Sequence, residues 1–497
     1  MMKLMYGSTR DKRNRVTASQ AVLQGLSPDG GLYVPERMPT LEKSIKELSA
    51  MDYRQLAYEV MSLFLTDFTE QELKACISKA YDDKFDTPEI APIRKVGDSY
   101  YLELYHGATI AFKDMALSIL PHLLTTAARK NKVEDEIVIL TATSGDTGKA
   151  ALAGFADVEG TRIIVFYPKN GVSSVQEKQM VTQRGANTHV IGIRGNFDDA
   201  QSGVKRMFNN AELTERMKKA GYIFSSANSI NIGRLVPQIV YYVYSYASLY
   251  KNNEIAEGEK INFVVPTGNF GNILAAYYAK QIGLPVGRLI CASNDNRVLY
   301  DFFETGRYDK NREFIITESP SMDILVSSNL ERLIYHISGD DPAETAELMK
   351  ALASKGVYEI SENMRNNLKD FTGGWASGEK MRRALRDLYE ESGYVIDTHT
   401  AVAASVYKDY IAETKDRTKT VIVSTASPYK FSNSVLAAIG VSDIPEDDYE
   451  QAKLLKDISG TEIPKAVAEL QTAPVVHNTV CDVDKMQSIV EEILKII

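Results

Sequence analysis

Ile137-Val-Ile-Leu-Thr141-Ala-Thr143-Ser144-Gly145-Asp146-Thr147-Gly148-Lys149-Ala-Ala-Leu152 reads as a strand, a hydroxyl-rich turn and the opening of an alanine-rich helix. The strand is apolar on both faces, as a strand buried between two layers must be. The turn offers backbone N–H groups and small side chains at a helix N-terminus, a setting that suits a carboxylate or a phosphate. It is no Walker loop, because Thr143 stands where that loop needs glycine and Ala150 where it needs serine or threonine. The same unit recurs. Short apolar runs at 100–104, 162–166, 189–193, 222–225, 262–265, 288–291, 394–396 and 420–424 are strand candidates, and helical stretches lie between most of them. Alternating strand and helix predicts an α/β fold with parallel sheets covered by helices on both faces.

The front of the chain differs. Residues 25–35, Gly-Leu-Ser-Pro-Asp-Gly-Gly-Leu-Tyr-Val-Pro, are turn-rich, and helical patterns follow at 53–64 and 70–81. Pro88 and Pro92 then punctuate the chain, which places a boundary near residue 95. The chain of 497 residues is long enough for several cores, and its 44% hydrophobic content excludes a disordered protein. A formal charge of −9 argues against nucleic acid as a partner. No apolar run reaches the length of a membrane span, and the basic start lacks the apolar core of a signal peptide. Cys76, Cys291 and Cys481 are spaced for neither a disulfide framework nor zinc, and the six histidines show no metal spacing. These readings predict a cytoplasmic protein without a metal.

Three further turns hold candidate chemistry. Pro266-Thr-Gly268-Asn269-Phe270-Gly271-Asn272 follows a strand and opens a helix, with two glycines that permit close backbone approach to a phosphate. Ser424-Thr425-Ala-Ser427 sets hydroxyls at the end of a strand, where one can meet a ring nitrogen. In His106-Gly-Ala-Thr-Ile-Ala-Phe-Lys113-Asp114 a lysine sits among apolar neighbours, and burial favours its neutral form. A neutral amine can bond to an aldehyde. Each turn alone also reads as helix capping, and the lysine alone as a partner of Asp114. All four at strand ends suit pyridoxal 5′-phosphate together with an amino-acid substrate.

These segments, with Tyr6-Gly-Ser-Thr-Arg10, Ser226-Ala-Asn228-Ser229-Ile-Asn-Ile-Gly-Arg234-Leu235 and residues 320–332 and 397–403, resemble the threonine synthases, in their longer bacterial and fungal form. The resemblance spans nearly the whole chain. It implies fold type II of the pyridoxal-phosphate enzymes: two doubly wound, mostly parallel-sheet domains plus a small N-terminal α+β domain. The implied division is 1–95; then 96–130 with 235–497 as the large cofactor-binding unit; and 131–234 as a smaller mobile unit.

The resemblance also implies roles. Lys113 would carry the cofactor and shuttle protons. Gly268, Asn269, Phe270, Gly271 and Asn272 would cradle its phosphate, and Thr425 would face its pyridine nitrogen. Thr143, Ser144, Gly145, Asp146 and Thr147 would hold the substrate carboxylate, with Asp146 near the cofactor's 3′-oxygen. Asn228, Ser229 and Arg234 would meet the substrate phosphate. The implied reaction turns O-phospho-L-homoserine and water into L-threonine and phosphate by γ-elimination and β-addition. Alternatives are a serine/threonine dehydratase of the same fold, which needs no substrate-phosphate cluster, and a non-catalytic phosphate-binding paralogue. Monomer and homodimer stay equally open. Ala108 and Thr398 depart from the family pattern, which usually has proline at the first position and often at the second.

Overall fold

The computed structural model describes residues 3–143, 145–172 and 174–496, with the side chain of Ser174 left out. Ser144, expected in the substrate loop, lies outside the described residues.

A six-stranded sheet runs in the order Phe371–Trp375, Val286–Ser293, Ile261–Pro266, Thr420–Ser424, Ser99–Glu103 and Ile93–Val96. All pairings are parallel except the last, an antiparallel hairpin at the edge. A second, five-stranded sheet is parallel throughout, in the order Thr479–Asp482, Thr188–Arg194, Thr161–Pro168, Glu136–Ala142 and Tyr222–Ser225. At the front, Met5–Ser8 pairs antiparallel with both Arg15–Thr17 and Tyr33–Pro35, and helices Tyr53–Phe64 and Glu70–Ala80 follow. Capping boxes start both helices, from Asp52 with Gln55 and from Thr69 with Glu72.

Alternation along each strand explains the continuous apolar runs. Phe263, Val265, Leu289, Val421 and Val423 face one core, shared with helices Ile232–Lys251 and Gly271–Gln281. Val264, Ile290 and Ile422 face the other, with Val402, Val406 and Leu385 of helices Thr398–Thr414 and Gly378–Ser392. The small sheet divides likewise, with Ile137 and Ile139 toward the shared core and Val138 and Leu140 toward a separate cluster.

Two sequence readings need correction. Residues 394–396 form no strand; Val395 and Ile396 are buried as an extended link leading to the helix cap Asp397. The sheet edge is taken instead by Phe371–Trp375, whose paired glycines weaken its strand signal. One of them is required by packing, because a Cβ on Gly374 would lie 2.3 Å from Val406 Cγ1. The stretch 235–497 does not belong wholly to the large unit. Strand Thr479–Asp482 adds to Thr188–Arg194, and helix Met486–Leu494 buries Met486, Val490 and Leu494 against the small sheet's outer cluster.

The sheets meet closely at the helix that follows the quoted turn. A Cβ on Gly154, in helix Asp146–Phe155, would lie 2.2 Å from the Leu117 carbonyl oxygen in the short helix behind Lys113. Backbone cannot yield as a side-chain tip can. Gly154→Ala is therefore expected to lower unfolding stability by about 1–3 kcal/mol, read as a lower denaturant midpoint. An unchanged midpoint would show that the helix pair can separate freely.

Candidate active site

Lys113 sits at the end of the turn that follows Ser99–Glu103, just before helix Asp114–Leu117. Its Nζ lies 3.1 Å from Ser321 Oγ and 3.5 Å from Asp146 Oδ2. Asp114 is not its partner: that carboxylate accepts from the Thr109 N–H and hydroxyl and stays within the turn. Burial holds the Lys113 ammonium below the ordinary lysine range; Asp146 opposes this, and Lys430 and Arg234 add to it. His106, next to the same turn, is structural. Its ring is clamped between Asp86 at 2.6 Å and Glu103 at 2.9 Å. Burial lowers its pKa, but the two carboxylates prevail and raise it to about 9.

The quoted loop lies across from the lysine. Gly145 adopts φ 143, and a Cβ there would meet the Gln176 amide at 2.4 Å, so only glycine fits. The Thr143 hydroxyl accepts from the N–H groups of Gly145 and Gly148, both at 3.0 Å, and so ties the start of the helix. Thr147 lies in the first turn. Asp146 is buried and held far below the ordinary carboxylate range: burial opposes ionisation, but Lys430 and Lys113 outweigh it.

The turn expected to take the cofactor phosphate has features that fit an anion. Phe270 takes the left-handed conformation, φ 65, directly before helix Gly271–Gln281, and its ring packs against Phe371 in the core. Its contribution to a ligand is thus its backbone. A Cβ on Gly268 would lie 2.4 Å from the Ser321 carbonyl oxygen. Asn272 Oδ1 accepts from the hydroxyls of Tyr241 and Tyr242, both at 2.6 Å, while its buried Nδ2 has no partner among the described residues. A pinned amide with an orphaned donor beside a helix N-terminus fits a phosphate monoester. The tyrosines, which read as helix packing in the sequence, orient that amide. Thr425 lies beside the lysine turn, its carbonyl accepting from the Phe112 N–H at 2.8 Å.

The third anion turn precedes helix Ile232–Lys251. Asn231 caps this helix, leaving Asn228 and Ser229 free of that task. Arg234 is buried; Nη1 donates to the Ala227 carbonyl at 2.8 Å, and Nε has no partner among the described residues. Burial without a nearby carboxylate lowers its pKa to about 10.

Residues 320–332 join these turns, a role the sequence did not disclose. Ser321 touches Lys113, Asp146 and, through its carbonyl, the Gly268 position. Ser327 Oγ donates to the Gly268 carbonyl at 2.7 Å. Asn329 Nδ2 reaches the Asn269 carbonyl at 3.1 Å and Ser229 Oγ at 3.4 Å. Arg332, fully buried, donates to Asn329, to the Ile230 carbonyl and to the Tyr33 carbonyl of the N-terminal sheet. Other unforeseen members are Gln176, Lys430 and the pair His399 and Asp397. Because His399 Nε2 accepts from the Ser321 N–H at 3.1 Å, its proton sits on Nδ1, facing Asp397 at 2.7 Å. Thr398 donates to the Glu318 carbonyl at 2.6 Å, tying the Ser321 segment to the helix that carries His399.

Residues 5–81 match the family model described as threonine synthase N terminus, 88–361 that of pyridoxal-phosphate dependent enzymes, and 400–490 that of the threonine synthase C-terminal region. The chain belongs to the threonine synthase family. A threonine synthase of Schizosaccharomyces pombe is 36% identical, over 88% of this chain and 90% of its own length. Threonine synthase-like 1 of Macaca fascicularis is 39% identical over 90% of this chain, which spans 61% of that relative's length. The crystal structure of pyridoxal-phosphate-bound threonine synthase from Brucella melitensis superimposes with a TM-score of 0.85, at 33% identity and 99% coverage of both chains. As in that family, the fold is type II and the cofactor is pyridoxal phosphate. Among the described residues, no helix is long and apolar enough to cross a membrane.

The cofactor cradle carries a test of its own. Asn272→Leu keeps the volume and removes the amide; one lost hydrogen bond to a charged group is worth about 1.5–3 kcal/mol. Pyridoxal phosphate affinity is expected to fall about tenfold or more in equilibrium dialysis. Unchanged affinity would assign the amide to packing alone.

Proposed function

We propose that the chain converts O-phospho-L-homoserine and water into L-threonine and phosphate, the last step of threonine biosynthesis. The observation that carries this reading is Arg234. Among the described residues it is a buried guanidinium with an unsatisfied Nε and no carboxylate partner, and the turn at Asn272 offers a separate place for the cofactor phosphate. A dehydratase acting on serine or threonine has no second phosphate to place there.

Pyridoxal phosphate supplies an aldehyde for amines and a ring that disperses negative charge from the substrate carbons. Lys113 Nζ, freed as a neutral amine, takes the proton from substrate Cα and returns it there at the end. Backbone N–H groups and hydroxyls of Thr143, Gly145 and Thr147 would hold the α-carboxylate, and Asp146 would stand near the cofactor's 3′-oxygen. Thr425 would offer the pyridine nitrogen a hydroxyl, which would leave that nitrogen unprotonated as a carboxylate partner would not. Arg234, Asn228 and Ser229 bind the phosphate on Cγ and stabilise the charge that grows as it leaves. The three buried, unpaired cysteines accord with a cytoplasmic setting.

Incubating the cofactor-loaded enzyme with O-phospho-L-homoserine is expected to release phosphate and threonine in equal amounts. Ammonia release from serine or threonine, without phosphate release from phosphohomoserine, would favour the dehydratase.

A further inference from the structure

Two lysines share one carboxylate at this site. Lys430 Nζ lies 3.2 Å from Asp146 Oδ1, and Lys113 Nζ lies 3.5 Å from Oδ2. Gln176 Nε2 donates to Oδ1 at 3.0 Å and Ser321 Oγ to Oδ2 at 3.1 Å. Each oxygen thus accepts two donors, and the carboxylate has no use for a proton of its own. The Lys430 side chain is 1% exposed and that of Asp146 8%.

Two ammoniums against one carboxylate leave a buried excess of positive charge, and Arg234 adds to it. An uncompensated buried charge is costly, and loss of one proton lessens it. The neighbours decide which lysine gives it up. Lys430 is nearer to Asp146 and also donates to the Thr109 carbonyl at 2.9 Å, an acceptor only. Lys113 lies farther from Asp146, at 3.5 Å, and its other neighbour is a neutral hydroxyl, Ser321 Oγ at 3.1 Å, which requires no charge on the nitrogen.

We propose that Lys430 is a positioning residue for Lys113: by occupying the Asp146 carboxylate, it keeps Lys113 Nζ as the neutral amine that attaches the cofactor. The inference rests on Lys113 being the attachment lysine. Attachment uses the amine's lone pair: the C–N bond forms at the aldehyde carbon, and the carbonyl oxygen departs as water with two protons from nitrogen. An ammonium has no lone pair to give. The charged groups acting on Lys113 are Asp146, Lys430 and Arg234; His399 acts on Asp146, while Asp114 and Lys149 lie near Lys430.

The test mixes apo-enzyme with pyridoxal phosphate and follows the rate of attachment by visible absorbance across pH, with borohydride trapping and peptide mapping of the labelled lysine. In Lys430→Met, Lys113 and Asp146 become a simple ion pair, so the profile's midpoint is expected to move up by about one pH unit, with attachment at pH 7 about tenfold slower. Lys430→Arg keeps the charge and the midpoint. Asp146→Asn removes the opposing charge and moves the midpoint down. A folded Lys430→Met protein with an unmoved midpoint and label on Lys113 overturns the role of Lys430 alone. If that variant does not fold, Asp146→Asn decides, and a midpoint unmoved or raised overturns the proposal. Label on a different lysine overturns the attachment reading and this inference with it.

Discussion

Lys113→Ala enzyme is expected to lose turnover by more than about 10³-fold while still binding pyridoxal phosphate. The two effects separate because the two jobs sit on different elements. The phosphate cradle at Gly268 to Asn272, with Tyr241 and Tyr242 behind it, is untouched by the substitution. The amine is lost, and with it both covalent attachment and the group that moves the Cα proton. Bound cofactor should therefore show the absorbance of the free aldehyde, and borohydride should fix no label to the chain. The fold should tolerate the change, since Asp146 keeps Lys430 at 3.2 Å as its single counter-ion. Near-normal turnover in this variant would remove Lys113 from the chemistry altogether.

Arg234→Met is expected to lower kcat/KM for O-phospho-L-homoserine about 10- to 100-fold. That follows from hydrogen bonds to a charged group worth about 1.5–3 kcal/mol, with about 1.4 kcal/mol per factor of ten. Cofactor affinity should stay within about twofold. The melting temperature of the unliganded protein should hold or rise. A buried guanidinium with an unsatisfied Nε and no carboxylate is a burden to the empty fold, and an apolar side chain of similar length removes it. A structural arginine behaves in the opposite way, losing stability and leaving the kinetics intact. Equal losses of substrate and cofactor affinity would place Arg234 at the wrong phosphate.

The parts of the site legible in the sequence are those where local chemistry and local backbone coincide. Gly145, Gly268 and Gly271 mark turns, and hydroxyl or amide residues beside a helix start mark anion sites. Lys113 stood out for its apolar neighbours and for the family pattern around it. Gln176, Ser321, His399 and Lys430 gave no comparable signal. Gln176 and Ser321 belong to the site only because distant segments stop within hydrogen-bond reach of Asp146 or Lys113, at separations of 30 and 208 residues; Lys430 reaches Asp146 from farther along the chain still, and His399 joins only through the Ser321 N–H. Strand Phe371–Trp375 was hidden for a related reason: its glycines are poor strand formers, chosen by the helix that packs on them.

Periodicity and turn chemistry act over a few residues, so the α/β class was legible in the chain alone, and with it the expectation of anion-binding turns and of a cofactor lysine. Its charge of −9 excludes nothing about a phosphorylated substrate, because the proposed anion sites would use helix N-termini, backbone N–H groups and a single arginine. Only the tertiary structure decided that residues 479–496 complete the small sheet, that 320–332 join the turns, and that Asp146 serves two lysines. Charge balance in a buried cluster depends on through-space distance in a medium that screens poorly, and nothing in the order of residues along the chain specifies that distance.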